Sequence, residues 1–130
     1  DPANSAIIIV PIETSGLEAD STLIDVDTLA AVIAGATNEQ TTMGRKTLTD
    51  SDLAAFPAPD DGNDRMDLSL PTVTWTAASG NAISKLLVCY DSDTTGGADS
   101  AIIPLTMFDF AQTPSGADIQ MTTGVFYRAS

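Results

Sequence analysis

The nearly continuous apolar run from Ile83 to Tyr90 (Ile-Ser-Lys-Leu-Leu-Val-Cys-Tyr) constrains the fold more than any other stretch of the chain. A short run of this kind, bounded by a polar segment over Asp91–Asp99, reads as a strand in the middle of a sheet. Such a strand needs neighbours to pair with and layers to cover it. The rest of the chain offers both, because 17 Thr, 9 Gly and 7 Pro punctuate a series of short apolar runs, a pattern of strands joined by turns. Ala6–Ile12 reads as a first strand closed by Pro11 and the loop around Ser15-Gly16, and Arg45–Thr49 as another. Met66, Leu68 and Leu70 alternate with Asp67 and Ser69, Pro71 interrupts, and Val73–Thr76 resumes. Ala101–Phe110 is a strand that Pro104 places at an edge or a bulge. Ile119–Thr122 and Val125–Arg128 predict a final hairpin around Thr123-Gly124. Thr22–Val26 reads either as a short strand or as the approach to a helix. One helical period is present: Leu29, Val32, Ile33 and Ala36 fall at i, i+3, i+4 and i+7, with Asp27 as the expected N-cap. The expected fold is mainly β, an antiparallel β-sandwich or barrel of about eight short strands. It carries one short helix near residues 27–36 and forms a single domain over residues 1–130, with residues 1–5 as an extended N-terminal arm.

Composition removes most chemistry. Five Lys and Arg against 18 Asp and Glu leave a formal net charge of −13, which argues against nucleic acid as a partner. The absence of histidine excludes Ser-His-Asp and Cys-His catalysis and imidazole metal sites. A single cysteine excludes an intrachain disulfide and a Cys-rich zinc site; Cys89, inside an apolar strand, reads as a small buried hydrophobe. The longest apolar stretches, Ala6–Ile12 and Leu29–Ala36, fall short of the ~18 residues a membrane span needs. No charged lead, apolar run and small-residue cleavage site follow one another, so neither a signal peptide nor a membrane partner is expected.

Two acidic clusters are candidates for chemistry. Asp91-Ser92-Asp93-Thr94-Thr95-Gly96 resembles the start of a calcium loop, with oxygen ligands at positions 1, 3 and 5 and glycine at 6. Position 12 is Ile102 rather than a bidentate acid, so Asp91, Asp93 and Asp99 are weak metal candidates, and the stretch equally describes a solvated turn. Asp60-Asp61-Gly62-Asn63-Asp64-Arg65-Met66-Asp67 could hold a hard cation or pair its acids for hydrolysis, but it also reads as a tight turn with Arg65 pairing locally. Lys46 and Lys85 sit in strand-like runs, and no glycine-rich phosphate loop or nucleophile elbow is present. Trp75, Tyr90, Phe108, Phe110, Phe126 and Tyr127 fall at strand spacing and read as core rather than as a sugar-binding strip. No enzyme activity and no cofactor are expected.

The order of short motifs carries a resemblance. Ile7-Ile8-Ile9-Val10 is followed by Gly35-Ala36-Thr37-Asn38-Glu39 and Gly44-Arg45-Lys46-Thr47-Leu48-Thr49. Next come Asp60-Asp61-Gly62-Asn63-Asp64-Arg65, Val73-Thr74-Trp75-Thr76-Ala77 and Leu86–Tyr90. Pro104-Leu105, Asp109-Phe110, Thr113-Pro114-Ser115-Gly116-Ala117-Asp118 and a terminal aromatic-Tyr-Arg strand close the series. From about Ala6 to Arg128 the chain resembles small virion proteins of tailed double-stranded-DNA bacteriophages, typically encoded among head-morphogenesis genes. It departs from them in the short lead Asp1-Pro2-Ala3-Asn4 and in a longer insertion between Leu48 and Asp60. The resemblance implies a capsid decoration (cement) protein on the outer surface of the virion. Its partner would be the major capsid protein, and it would self-associate about a capsid symmetry axis, with a trimer favoured. Ile7, Ile8, Ile9 and Val10 are the expected contact residues, through pairing with a neighbour's edge. A head–tail connector or tail component is the nearest alternative. A surface carbohydrate-binding module, using Trp75 or Tyr127, is the alternative from a different class.

Overall fold

The computed structural model describes residues 3–53, 58–122 and 124–129, with the side chains of Phe126 and Tyr127 excepted. The run that reads as a central strand is one. β1 (Ala6–Glu13), β2 (Lys46–Leu48), β5 (Ile83–Asp91) and β6 (Ile103–Gln112) form a four-stranded antiparallel sheet in the order β2-β1-β5-β6. β1 and β5 are the two inner strands, and side chains alternate between two buried layers. Ile9, Ile83, Leu86 and Val88 face one core, with Ile7 packed against it; Ile8, Val10, Ile12, Leu87 and Cys89 face the other. An antiparallel strand covered on both faces has no wet phase, which is why these two segments read as near-continuous apolar runs.

The first layer is built by β3 (Met66–Leu70), β4 (Val73–Trp75), β7 (Ile119–Met121) and β8 (Gly124–Ala129). β7 and β8 do not form the expected hairpin with each other: β3 pairs with β8 and β4 pairs with β7. Leu70 opposes Gly124 and Val73 opposes Met121, so one register continues through both pairs. The two pairs are one ribbon interrupted at Pro71, which has no N–H to give to a ladder. Burial explains the choice of partner. Pairing β7 with β4 sends Val73, Trp75, Ile119 and Met121 into the same core as Ile9 and Leu86. The ribbon's end is closed by Ala77 N–H donating to Asp118 Oδ1 at 2.8 Å and Ala78 N–H donating to the Ala117 carbonyl at 3.0 Å.

The second layer is made of single helical turns: α1 (Asp20–Leu23) and α2 (Leu29–Val32), with a 3₁₀ turn at Asp99–Ala101. A further turn, α3 (Asp50–Leu53), follows β2. The helix expected over residues 27–36 is therefore much shorter, and its cap is Thr28 rather than Asp27. Thr28 has extended backbone angles, and its hydroxyl accepts the Ala31 N–H at 3.2 Å; Asp27 lies one residue too early to reach that amide. Leu23, Leu29 and Val32 bury against Ile8, Val10, Leu87 and Cys89, and it is this contact that holds turns too short to stand alone.

β1 ends at Glu13, one residue beyond the expected end at Ile12, and Pro11 lies inside it. β2 covers only Ile7–Ile9; beyond it the edge of β1 is met by residues 38–40, with Gln40 N–H donating to the Pro11 carbonyl and Glu13 N–H donating to Asn38 O. The missing Pro11 N–H therefore faces this irregular segment, not β5, and the β1–β5 ladder keeps its register through Pro11, shifting only between Ile12 and Glu13.

Arg45 ties the second layer to the sheet edge. Its guanidinium donates to both Glu39 oxygens at 2.7 and 2.6 Å and to both Asp99 oxygens at 2.6 and 2.9 Å. The hydrogen bonds from Arg45 hold the Asp99 carboxyl below the usual carboxylate range. Arg45→Ala would strand Glu39, whose side chain is only 11% exposed. The expected loss is about 2 kcal/mol by chemical denaturation. Arg45→Lys recovers part of it, because one ammonium cannot replace two bidentate forks. The sign with pH follows from the lowered folded-state value: the Asp99 contribution is present above the unfolded carboxylate value and is lost as pH falls through the folded one. In a series of melts from pH 7 downward, the wild type should lose more stability than Arg45→Ala over the acid range; parallel curves would show that the pair contributes nothing.

Candidate docking edge

The sheet has two outer strands, and they differ in kind. β2 offers only three residues, Lys46–Leu48, whereas β6 offers ten, Ile103–Gln112. Among the described residues β6 pairs on one side only, with β5. Its other side presents a row of backbone N–H and C=O groups of the kind that templates an added strand. Pro104 lies on this edge strand and at a bulge, as its chemistry requires. Val88 faces Thr106 and Cys89 faces Pro104, which leaves Leu105 as the extra residue without an opposite number. Leu105 and Ile103 are each 49% exposed, and Ile24, just after α1, is 80% exposed.

A groove flanks β6 on each face. On the helix side a groove of about 340 Å³ runs between α1 and β6, floored by Leu23, Val32, Leu87 and Met107 and walled by Ile24 and Leu105. Asp20 stands at its rim. On the ribbon side a groove of about 280 Å³ is lined by Leu70, Thr106, Phe108, Met121 and Val125 and holds no charged side chain. Lys85 joins Asp20, at the rim of the helix-side groove, to β6: its Nζ lies 2.8 Å from Asp109 on β6 and 3.1 Å from Asp20 on α1. These two partners raise the Lys85 ammonium above its ordinary value, so it stays charged. β6 therefore offers unpaired backbone, an apolar groove with an acidic rim and a second apolar groove without charge. That arrangement can recognise an extended peptide segment, whose side chains alternate between the two faces.

The residues expected from the sequence to form contacts are elsewhere. Ile8, Ile9 and Val10 are buried and Ile7 is half-buried, in a strand flanked by β5 on one side and by β2 on the other over Ile7–Ile9. An incoming strand could reach this segment only by displacing β2. Of the extended arm, residues 1 and 2 lie outside the described residues, and the Asn4 carbonyl accepts from the Thr94 N–H and hydroxyl at 3.0 Å.

The acidic candidates are occupied by local bonds. Asp91 accepts the Asp93 N–H at 3.0 Å, Asp93 accepts from both the N–H and the hydroxyl of Thr95, and Asp99 is held by Arg45. No group of three or more His, Cys, Asp or Glu side chains converges on a metal position among the described residues. In the other cluster Asp60 accepts from Asn63 at 2.7 Å and pairs with Arg65 at 3.3 Å, forming the tight turn that leads into β3, while Asp67 pairs with Arg128 across the β3–β8 ladder. The Asn63 and Arg65 contacts hold Asp60 below the usual carboxylate range.

Trp75 is 1% exposed, and its indole N–H donates to the Gly44 carbonyl at 2.9 Å, so its ring is not available as a sugar platform. The Lys46 ammonium lies 5.8 Å from that ring's centroid. The Tyr127 side chain lies outside the described residues. Cys89 is buried, and desolvation pushes its thiol up to about 12, which leaves it unreactive. No helix among the described residues is long and apolar enough to cross a membrane.

Sequence reasoning misses β6 as the interaction candidate even though Pro104 marks its edge. The missing signal is three-dimensional: whether an edge strand is covered depends on where the other strands lie, and among the described residues β8 pairs with β3 and not with β6. No family model, no curated protein and no solved structure matches the chain.

Proposed function

We propose that this chain is a structural virion protein, a capsid decoration protein that binds the outer surface of a phage head through the free edge of β6 and stabilises it. The observation that carries the reading is the ten-residue edge strand whose outer side is unpaired among the described residues, beside exposed Ile24, Ile103 and Leu105. A long edge flanked by apolar side chains is a liability in a free monomer and an asset in an assembly. The resemblance of the motif order to tailed-phage head proteins supplies the partner class of this reading, the major capsid protein, and a trimeric arrangement about a symmetry axis. In this reading the ribbon stacked on the four-stranded sheet is an antiparallel sandwich that serves as a rigid spacer, and the net charge of −13 keeps the outward surface soluble and away from packaged DNA.

The test is to titrate purified protein onto capsids that lack it. Saturable binding in hundreds of copies over the whole shell, with a raised disruption temperature, is the expected result. Binding of about a dozen copies at one vertex would replace decoration by head–tail connection.

A further inference from the structure

We infer that the occupant of the β6 edge is an extended cationic segment of the partner protein, with Lys or Arg alternating with apolar residues, and not a second copy of this chain. The inference rests on the reading of β6 as the docking edge and adds the chemistry of what docks there. Its ground is the unequal charge of the two grooves. A strand added beside β6 sends alternate side chains to opposite faces.

Those on the helix face enter a groove with apolar walls, Ile24 and Leu105, and Asp20 at its rim. The exposed Asp25 and Asp27 lie next to the lining residues Ile24 and Val26 in sequence, and Asp109 projects from β6 with its side chain 89% exposed. Lys85 is shared between Asp20 and Asp109, so its single charge is already divided between those two acids. Two carboxylates, Asp20 and Asp109, against one ammonium leave a net negative charge beside an apolar floor. Lys and Arg fit such a groove, since their stems pack on apolar surface while their heads reach the carboxylates. Side chains on the ribbon face meet Leu70, Phe108, Met121 and Val125 and no charge, so that phase takes apolar residues. A second copy is disfavoured by the same charges. At this edge it would bring a second set of rim acids to the contact.

The experiment uses the whole chain and two capped synthetic octapeptides, one alternating lysine with valine and one alternating glutamate with valine. Amide exchange over Ile103–Gln112 and a binding isotherm are read at low and high salt. The lysine peptide should bind and slow exchange along β6, with affinity falling about tenfold between 50 and 500 mM salt. The glutamate peptide should not bind. Asp20→Asn combined with Asp109→Asn should weaken the lysine peptide about fivefold or more, with the melting transition retained as the control for folding. Equal binding of both peptides, or no binding of either, overturns the inference. So does a concentration-dependent dimer that Leu105→Lys dissolves. Lysine-peptide binding without any binding to capsids supports the inference while removing the decoration reading. Capsid binding that the two Asn substitutions leave unchanged, together with no peptide binding, overturns the inference and leaves decoration standing.

Discussion

Trp75→Ala is expected to lower the unfolding free energy by roughly 3–5 kcal/mol, a large part of what a domain of this size has. Trp75 is the largest fully buried side chain. Its ring lies in the core shared by Ile9, Val73, Leu86 and Ile119, where the ribbon meets the four-stranded sheet. Removing it leaves a cavity between two layers joined by packing, and it also leaves the Gly44 carbonyl without its indole donor. Trp75→Phe keeps most of the volume and loses the hydrogen bond, so about 1–2 kcal/mol is expected there. Chemical denaturation of the three proteins checks both values. A Trp75→Ala protein within about 1 kcal/mol of wild type would mean that the ring does not bridge the two layers.

The second large effect concerns binding. The double substitution Ile103→Lys and Leu105→Lys should leave stability within about 1 kcal/mol, because both side chains are half out of the fold already. Capsid affinity should fall on the order of 100-fold, because each apolar side chain withdrawn from the interface weakens binding about tenfold. Charged residues on an edge strand are also the device by which proteins refuse strand addition. The matched control is Ile8→Val in β1, which trims a buried side chain of the inner sheet and touches no edge. It should cost about 1 kcal/mol of stability and no capsid affinity.

How much of this is legible in the sequence depends on whether the deciding contact is local. Ile83–Tyr90 declares itself because a strand buried on both faces leaves no polar phase to confuse it. Pro71 announces an interruption and Pro104 an edge or bulge, since a missing N–H is a property of the residue alone. The expected N-cap falls one residue early because Asp27 and Thr28 are both competent caps, and the choice is made by where Leu29 must sit: its N–H donates to the Ile102 carbonyl from the other side of the layer. The pairing of β7 and β8 is unreadable for a related reason. Thr123-Gly124 resembles a hairpin turn locally, but the pairings with β4 and β3 bury Trp75, Ile119 and Met121 together, and that contact spans more than forty residues.

The same distinction holds for the site. Ile7–Val10 is apolar enough to be a contact segment, and only the positions of β2 and residues 38–40 show that its edge is already taken. The groove beside β6 draws on α1, α2, β5 and β6, and no window of sequence contains all four. The acidic clusters, by contrast, behave as their local chemistry suggests. Asp60, Asp91 and Asp93 are tied to neighbours within five residues, which is how Asp-rich turns are ordinarily built.

The most direct measurement of the central claim is amide hydrogen exchange of the protein free and bound to capsids, read residue by residue along both outer strands. Strand addition at β6 predicts that exchange slows on binding at alternate residues from Thr106 to Asp109, the stretch in regular register with β5, while Lys46–Leu48 of β2 stays unchanged. Protection confined to β2 or to the ribbon, with β6 exchanging at its free rate on the assembled shell, would contradict it.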